Sequence, residues 1–157
     1  MPEHPHDVAC NAKNAVAFAV TYKPHADPLA QKLQVPVENL LGLAAEESLW
    51  GQGDIARKYN NYFSMHAPAR YQTGEVAAKR DPKVKVAMFR SFNDCGASFI
   101  DRFGQAVQGK SDPTEFAEAL VAVHYNTGDS KTGGRDDFVS YLAHIIEMTR
   151  RRMNCAP

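Results

Sequence analysis

The stretch Leu40–Gly53, LLGLAAEESLWGQG, decides the fold because it joins an apolar helical pattern to a carboxylate on the apolar face. No proline interrupts the chain between Pro36 and Trp50, and apolar residues recur there at helical spacing, which predicts one helix. At about 100° per residue, Glu47 lies only about 20° around the helix axis from Leu40. Glu47 is therefore predicted to lie on the buried face.

A carboxylate on a buried helix face is costly, because loss of water disfavours its charged form. Proteins pair such a group or use its raised pKa, and cleavage of a glycosidic bond needs a carboxyl group that is still protonated near neutral pH. Glu46, about a quarter-turn away, falls toward the flank beside Asn39. Helix geometry alone leaves Glu47 open to two interpretations, a paired structural glutamate or a catalytic acid.

The rest of the chain predicts a mainly helical α+β domain with a central insertion of loops and short strands. The alternating run Lys83–Met88 reads as a strand whose hairpin partner lies near Glu75 and Val76. Helical patterns cover Asp7–Tyr22, Asp27–Leu33, Phe92–Val107, a segment capped by Asp112 and Pro113, and a last segment from Phe138 to Met153.

Length and charge limit the classes of protein and partner. The 157 residues suit a single domain over 1–157, with loose ends expected at 1–6 and 153–157. Lys plus Arg and Asp plus Glu are 18 each, so we expect neither nucleic acid nor membrane as a partner. The apolar run Ala15–Val20 is too short for a bilayer span or a usual signal core.

The three cysteines, Cys10, Cys95 and Cys155, fit no zinc spacing, so we expect no metal site. Chain ends often lie close together in single domains, so Cys10 and Cys155 could form a disulfide. The alternative, that both are free thiols, also stays open. Phosphate-loop, zinc-protease and nucleophile-elbow motifs are missing from the sequence, and we expect no cofactor.

Four strings in order resemble the family 73 glycoside hydrolases, the flagellar and autolysin-type N-acetylglucosaminidases. They are EESLWGQG (46–53), NNYFSMH (60–66), FRSFNDCGASFIDRF (89–103) and VHYNTGDSKTGGRDDFVSYLAHII (123–146). The resemblance runs from about Leu40 to Met148. It implies a lysozyme-like domain with a helical core and a small β-lobe.

The resemblance also implies roles for five residues. Glu47, immediately before the serine of the motif, would be the general acid, and Tyr125 would face it and orient sugar or water. Trp50 at the end of the helix would contact substrate beside the cleft or pack as a core aromatic. Asn61 and Phe63 match the family's turn that frames the active site and are candidates for contact with substrate; the alternative for Asn61 is to hold the backbone there.

A second carboxylate is expected in the β-lobe, where Glu75 is the only glutamate and Asp81 is the other acidic candidate. If either activates a water molecule opposite Glu47, their carboxyl groups should lie about 6.5–9.5 Å apart, as in inverting enzymes. A solvated charge on the hairpin is the alternative for Glu75.

The sequence departs from the family pattern at the rim of the expected cleft. Leu49 and Ser64 each replace a glycine, and His66 stands where lysine is usual. Subsite preferences should therefore differ from those of other members.

The resemblance implies a peptidoglycan hydrolase that cleaves the β-1,4 glycan backbone, most simply as an N-acetylglucosaminidase. The compact form is similar to the glycoside hydrolase effectors of type VI secretion. Delivery without a signal peptide, action in the periplasm of target bacteria and a cognate immunity protein that occludes the cleft are then expected.

Two other classes of function stay open. A muramidase or lytic transglycosylase of phage or autolysin type also uses a helix-borne glutamate followed by serine, although the transglycosylase glycine-leucine-methionine-glutamine motif is missing. A glycan-binding or structural helical module would keep the fold without the chemistry.

Overall fold

The computed structural model describes residues 7–156 and contains, within that range, six α-helices and one two-stranded sheet. Their bounds are α1 (Lys13–Leu33), α2 (Val37–Ser48), α3 (Asp54–Tyr59), β1 (Gly74–Ala77), β2 (Lys85–Met88), α4 (Phe92–Val107), α5 (Pro113–Ala122) and α6 (Phe138–Met153). Short 3-10 helices lie at Val8–Asn11 and Ser130–Thr132. The predicted mainly helical α+β fold with a small β-lobe is confirmed.

Helix α2 lies at the centre of the domain, packed against α1 and α6. Leu40, Leu41 and Leu43 have no exposed surface. Gly42 lets α6 approach closely, since a Cβ atom there would lie 2.8 Å from Cγ1 of Ile146. The helix that carries the candidate acid is thus fixed on two sides by the core.

Helix α1 differs from the sequence prediction. The helices expected over Asp7–Tyr22 and Asp27–Leu33 form one helix, Lys13–Leu33, with Pro24 and Pro28 inside it. Each proline removes a hydrogen bond to the carbonyl four residues earlier. Both prolines are exposed, while the opposite face of α1 is buried in the core. Tertiary packing therefore outweighs the tendency of the two prolines to end the helix.

The two chain ends are joined. Cys10 and Cys155 form a disulfide with their Cα atoms 5.7 Å apart, which decides between the two alternatives left by the sequence. The loose end expected over 153–157 is wrong for the described part, because α6 includes Met153 and Cys155 is buried. The end expected to be loose at 1–6 lies outside the described residues.

The small lobe is the predicted hairpin. β1 pairs antiparallel with β2, with Val76 opposite Val86. Its second strand and the residue after it are tied to the body by three backbone bonds, from Phe89 N to Tyr59 O (2.8 Å), from Ala87 N to Met65 O (3.0 Å) and from Ala67 N to Lys85 O (2.9 Å). In the part of the chain described, none of the helices has both the length and the apolar character to cross a membrane.

Candidate active site

A cleft of about 690 Å³ lies between the body and the β-lobe. It is lined by Glu46, Glu47 and Leu49 at the end of α2, by Asp54, Ile55, Lys58 and Tyr59 of α3, by Ser64, and by Val76–Arg80 and Val86 of the lobe. Among residues 7–156, no group of three or more His, Cys, Asp and Glu side chains is placed to hold a metal ion. The lining includes the carboxylates of Glu46, Glu47 and Asp54 and the hydroxyls of Tyr59 and Ser64.

The end of α2 sets the position of Glu47. The helix stops at Ser48 because Leu49 and Trp50 both adopt left-handed backbone conformations, with φ of 51° and 55°. The buried hydroxyl of Ser48 accepts a hydrogen bond from the backbone N–H of Gly51 at 2.9 Å and closes the turn. The serine, tryptophan and glycine of the motif thus hold the turn next to the acid.

The surroundings of Glu47 favour its protonated form. Burial raises the pKa of this carboxyl well above its usual value, and hydrogen bonding and charge from Glu46 raise it further. Hydrogen bonds from Ser64 and Tyr125 act in the opposite direction and are the smaller effect. A glutamate that keeps its proton near neutral pH can act as a general acid.

Tyr125 faces Glu47, as the resemblance implies. Its hydroxyl donates its single proton to the carbonyl of Phe63 at 2.7 Å and lies within reach of the Glu47 carboxyl, whose pKa it acts to lower. Its ring meets Phe99 and Phe103 edge-on at 5.5 and 5.0 Å. Burial raises the pKa of the phenol, so Tyr125 remains a neutral hydrogen-bonding group.

Asn61 and Phe63 shape the site through the backbone. The Asn61 side chain has no exposed surface, donates to Met65 O (2.9 Å) and Ala87 O (2.8 Å), and accepts from Met65 N (2.9 Å). Phe63 is also fully buried and stacks on Phe99. Neither side chain lines the cleft, so their predicted contact with substrate gains no support from their positions.

Trp50 does not line the cleft that holds Glu47. Its ring lies edge-on to Phe18, at 6.1 Å between centroids, and the guanidinium of Arg152 lies 4.6 Å from its centre. It borders a separate groove of about 240 Å³ beside α1. The left-handed turn carries the ring toward α1 and α6, a position that fits the core-aromatic alternative rather than contact with substrate in this cleft.

The predicted second carboxylates also lie outside the cleft lining. Glu75 is exposed on β1 and Asp81 is exposed in the turn that follows. Asp54 does line the cleft, but the sequence did not identify it as a candidate carboxylate. An acidic residue at the start of a helix is nevertheless a recognisable sequence signal. Hydrogen bonds from Lys79 and then Arg57 lower the pKa of Asp54, so it stays charged.

Ser64 is a second residue of the cleft lining that the sequence did not identify as a functional candidate. Like Leu49, it replaces a family glycine, and both have left-handed backbones, with φ of 51° at each. Such conformations favour glycine, and other residues at them are strained. At Ser64 the substitution adds a hydroxyl that hydrogen-bonds Glu47.

Known proteins share this fold. The chain is 52% identical, with a TM-score of 0.85, to a chain in a type VI secretion system effector–immunity complex from Pseudomonas protegens, covering 94% of this chain and 99% of that one. A peptidoglycan hydrolase from Sphingomonas sp. A1 is 28% identical (TM-score 0.73; 90% and 96% covered). The peptidoglycan hydrolase FlgJ of Vibrio parahaemolyticus is 28% identical over an alignment of 129 residues, which covers 71% of this chain but only 42% of that protein.

The model of one enzyme family, described as mannosyl-glycoprotein endo-beta-N-acetylglucosaminidase, matches residues 23–151. The match extends from within α1 almost to the end of α6 and includes every residue that lines the cleft. The family resemblance found in the sequence is confirmed, and so is the lysozyme-like fold. The chain belongs to this glucosaminidase family and is a glycoside hydrolase.

Proposed function

We propose that this protein hydrolyses the β-1,4 glycan backbone of peptidoglycan as an N-acetylglucosaminidase. The observation that carries the proposal is the state of Glu47: its partly buried carboxyl lies in the cleft and has a raised pKa. The similar proteins from Sphingomonas and Vibrio are peptidoglycan hydrolases, which supports the substrate.

The cleft supplies the groups for acid-catalysed cleavage. Glu47 donates its proton to the glycosidic oxygen as the bond from that oxygen to the anomeric carbon breaks. The oxygen of a water molecule bonds to the anomeric carbon, and the proton it loses leaves to solvent or to a base. Ser64 donates a hydrogen bond that stabilises the Glu47 carboxylate as it forms, and Tyr125 can do the same when its hydroxyl proton turns from Phe63 O to Glu47.

We propose two candidates for the carboxylate that acts on the water molecule. Asp54 already lies in the cleft and is kept ionised by Lys79 and Arg57. Glu75 remains the prediction that the family resemblance makes, although its side chain is exposed on β1. Separate amide substitutions of Asp54 and Glu75 distinguish these two residues.

The biological setting we propose is that of a type VI secretion effector, delivered without a signal peptide and active in the periplasm of target bacteria. Support comes from the 52% identity to a chain in an effector–immunity complex. The Cys10–Cys155 disulfide fits an oxidising compartment, where such bonds persist.

A cognate immunity protein that occludes the cleft is the partner we propose, in addition to the glycan strand. The lining of the cleft includes Leu49, which keeps 67% of its surface exposed. A large apolar side chain exposed beside basic Lys58 and Lys79 offers both an apolar and a charged contact.

The bond that is cleaved can be read from the products of purified sacculi. We expect mass spectrometry of the digest to show new reducing N-acetylglucosamine ends. Reducing N-acetylmuramic acid ends would instead identify a muramidase, and anhydro ends a lytic transglycosylase. Intact sacculi that retain bound protein would indicate a glycan-binding module and contradict hydrolysis.

A further inference from the structure

A second cavity, which we call the side pocket, lies beside the cleft that holds Glu47 and is lined by residues 64–66, 102–103 and 124–125. Ser64 lines both cavities, and Tyr125, which lies within reach of the Glu47 carboxyl, lines the side pocket. The side pocket is therefore adjacent to the candidate acid. Its volume is about 110 Å³ against about 690 Å³ for the cleft, so it suits a substituent of a sugar rather than a whole sugar unit.

The side pocket is basic, in contrast to the cleft. Apart from the phenol of Tyr125, its ionisable side chains are those of His66, Arg102 and His124, and none of the described residues that line it carries a carboxylate. The lining of the cleft includes three carboxylates. The whole chain has 18 acidic and 18 basic residues, so the basic character of the side pocket is a local feature.

Arg102 is held in place but is not neutralised by an acidic side chain. Its two terminal guanidinium nitrogens donate to the backbone carbonyls of His66 (3.1 Å) and Pro68. A guanidinium has five N–H groups, so others stay available to a ligand. Within residues 7–156 no Asp or Glu pairs with Arg102, whereas the adjacent Asp101 pairs with Arg70. An arginine that is fixed and unpaired is well suited to bind a carboxylate.

The proposed substrate carries carboxylates close to every bond of its backbone. In peptidoglycan, N-acetylglucosamine alternates with N-acetylmuramic acid, whose lactyl group ends in a carboxyl or in the peptide joined to it. Because the two sugars alternate, one of the two units that flank any β-1,4 bond is a muramic acid. A carboxylate of its substituent therefore comes near the acid whichever bond is cleaved.

We propose that the side pocket is a subsite for a carboxylate on the muramic acid unit next to the cleaved bond, with Arg102 as its main donor and His66 and His124 as further donors. The inference rests on the proposed function, since it takes peptidoglycan as the substrate, and it names the group of that substrate that is recognised. A neutral imidazole has one N–H donor in either tautomer, so both histidines can contribute. Arg102 acts in substrate binding and takes no part in the proton transfer.

The test compares kcat/KM at neutral pH on solubilised peptidoglycan strands and on the same strands after their carboxyls are converted to neutral methylamides. The wild type should prefer the charged strands about tenfold, mainly through KM, because one charge-assisted contact at a partly exposed site is lost. Arg102→Gln should remove most of that preference while still cleaving the neutral strands. Arg90→Gln, an exposed position that lines neither cavity, is the matched control and should keep the preference.

A wild type without the preference would overturn the proposal, and so would an Arg102→Gln variant that slows both kinds of strand equally. Equal slowing would show that Arg102 acts only through the loop carbonyls it holds. If Arg102→Gln melts well below the wild type, His124→Asn carries the same comparison, since asparagine tolerates the left-handed backbone there (φ 61°). The shorter side chain should weaken the preference, and an unchanged preference would again count against the subsite.

Strands from which an amidase has removed the stem peptide distinguish the two sources of the carboxylate. A preference that persists on these strands assigns the side pocket to the lactyl carboxylate, and a preference that needs the peptide assigns it to a carboxylate of the peptide. The proposed function fails separately: a wild type that cleaves none of the strands removes it, whereas equal cleavage of charged and neutral strands removes only the subsite.

Discussion

Replacing Glu47 by glutamine is expected to slow glycan cleavage about 10²–10⁴-fold, the usual contribution of a general acid. Glutamine fills the same space between Ser64 and Tyr125 but has no acidic proton to give to the leaving oxygen. The initial rate at which reducing ends are released from purified sacculi measures the effect. Glu118→Gln makes the same chemical change at an exposed site and should keep the wild-type rate.

The stability of the same variant separates chemistry from folding. Because folding raises the pKa of Glu47, its protonated form is favoured in the native state. That contribution is fully present below the unfolded pKa of about 4.3 and is lost as pH rises through the folded pKa. Glutamine stays neutral throughout, so Glu47→Gln should melt no lower than the wild type at pH 7. A stable variant with a rate within about threefold of wild type would contradict the assignment.

Removing the Cys10–Cys155 disulfide is expected to lower the free energy of unfolding by about 2–5 kcal/mol. The bond closes a loop with a sequence separation of 145 residues, so it restricts the unfolded chain strongly. For a domain of this size the melting temperature should fall by roughly 4–20 °C. Thermal melts of the double variant Cys10→Ser, Cys155→Ser against the wild type measure the loss.

A reductant supplies the control for that prediction. Dithiothreitol should lower the melting temperature of the wild type toward that of the double variant and leave the double variant unchanged. The remaining thiol, Cys95, is buried and has a pKa raised to about 12 by burial, so it should not interfere. An unchanged wild-type melt in reductant would show that the bond contributes nothing to stability.

Much of the fold follows from local patterns. The apolar spacing of α2 and of α6, the Asp112 cap of α5 and the alternation before Met88 each predict the element that is present. Pro24 and Pro28 misled the prediction of α1. Local rules place a break at each proline, and the burial of the opposite helix face, which no local pattern reports, outweighs it.

The candidate site was only partly predictable for a related reason. Glu47 and Tyr125 carry motif positions, so the sequence could place them together. The direction of the Trp50 ring and the conformation at Ser64 depend on left-handed backbone angles, which residue identity alone does not reveal when neither residue is glycine. Asp54 enters the cleft through the contact of α3 with the β-lobe, a long-range feature.

The protonation state of Glu47 in the free enzyme is the most direct test of its role as the acid. The carboxyl ¹³C shift of Glu47, assigned as the signal missing from Glu47→Gln, should still be that of a protonated acid at a pH well above 4.3, the ordinary value for glutamate. A signal that titrates at the ordinary value, together with the exposed glutamates, would mean that Glu47 has no proton to donate at neutral pH. It would then contradict the mechanism at its first step.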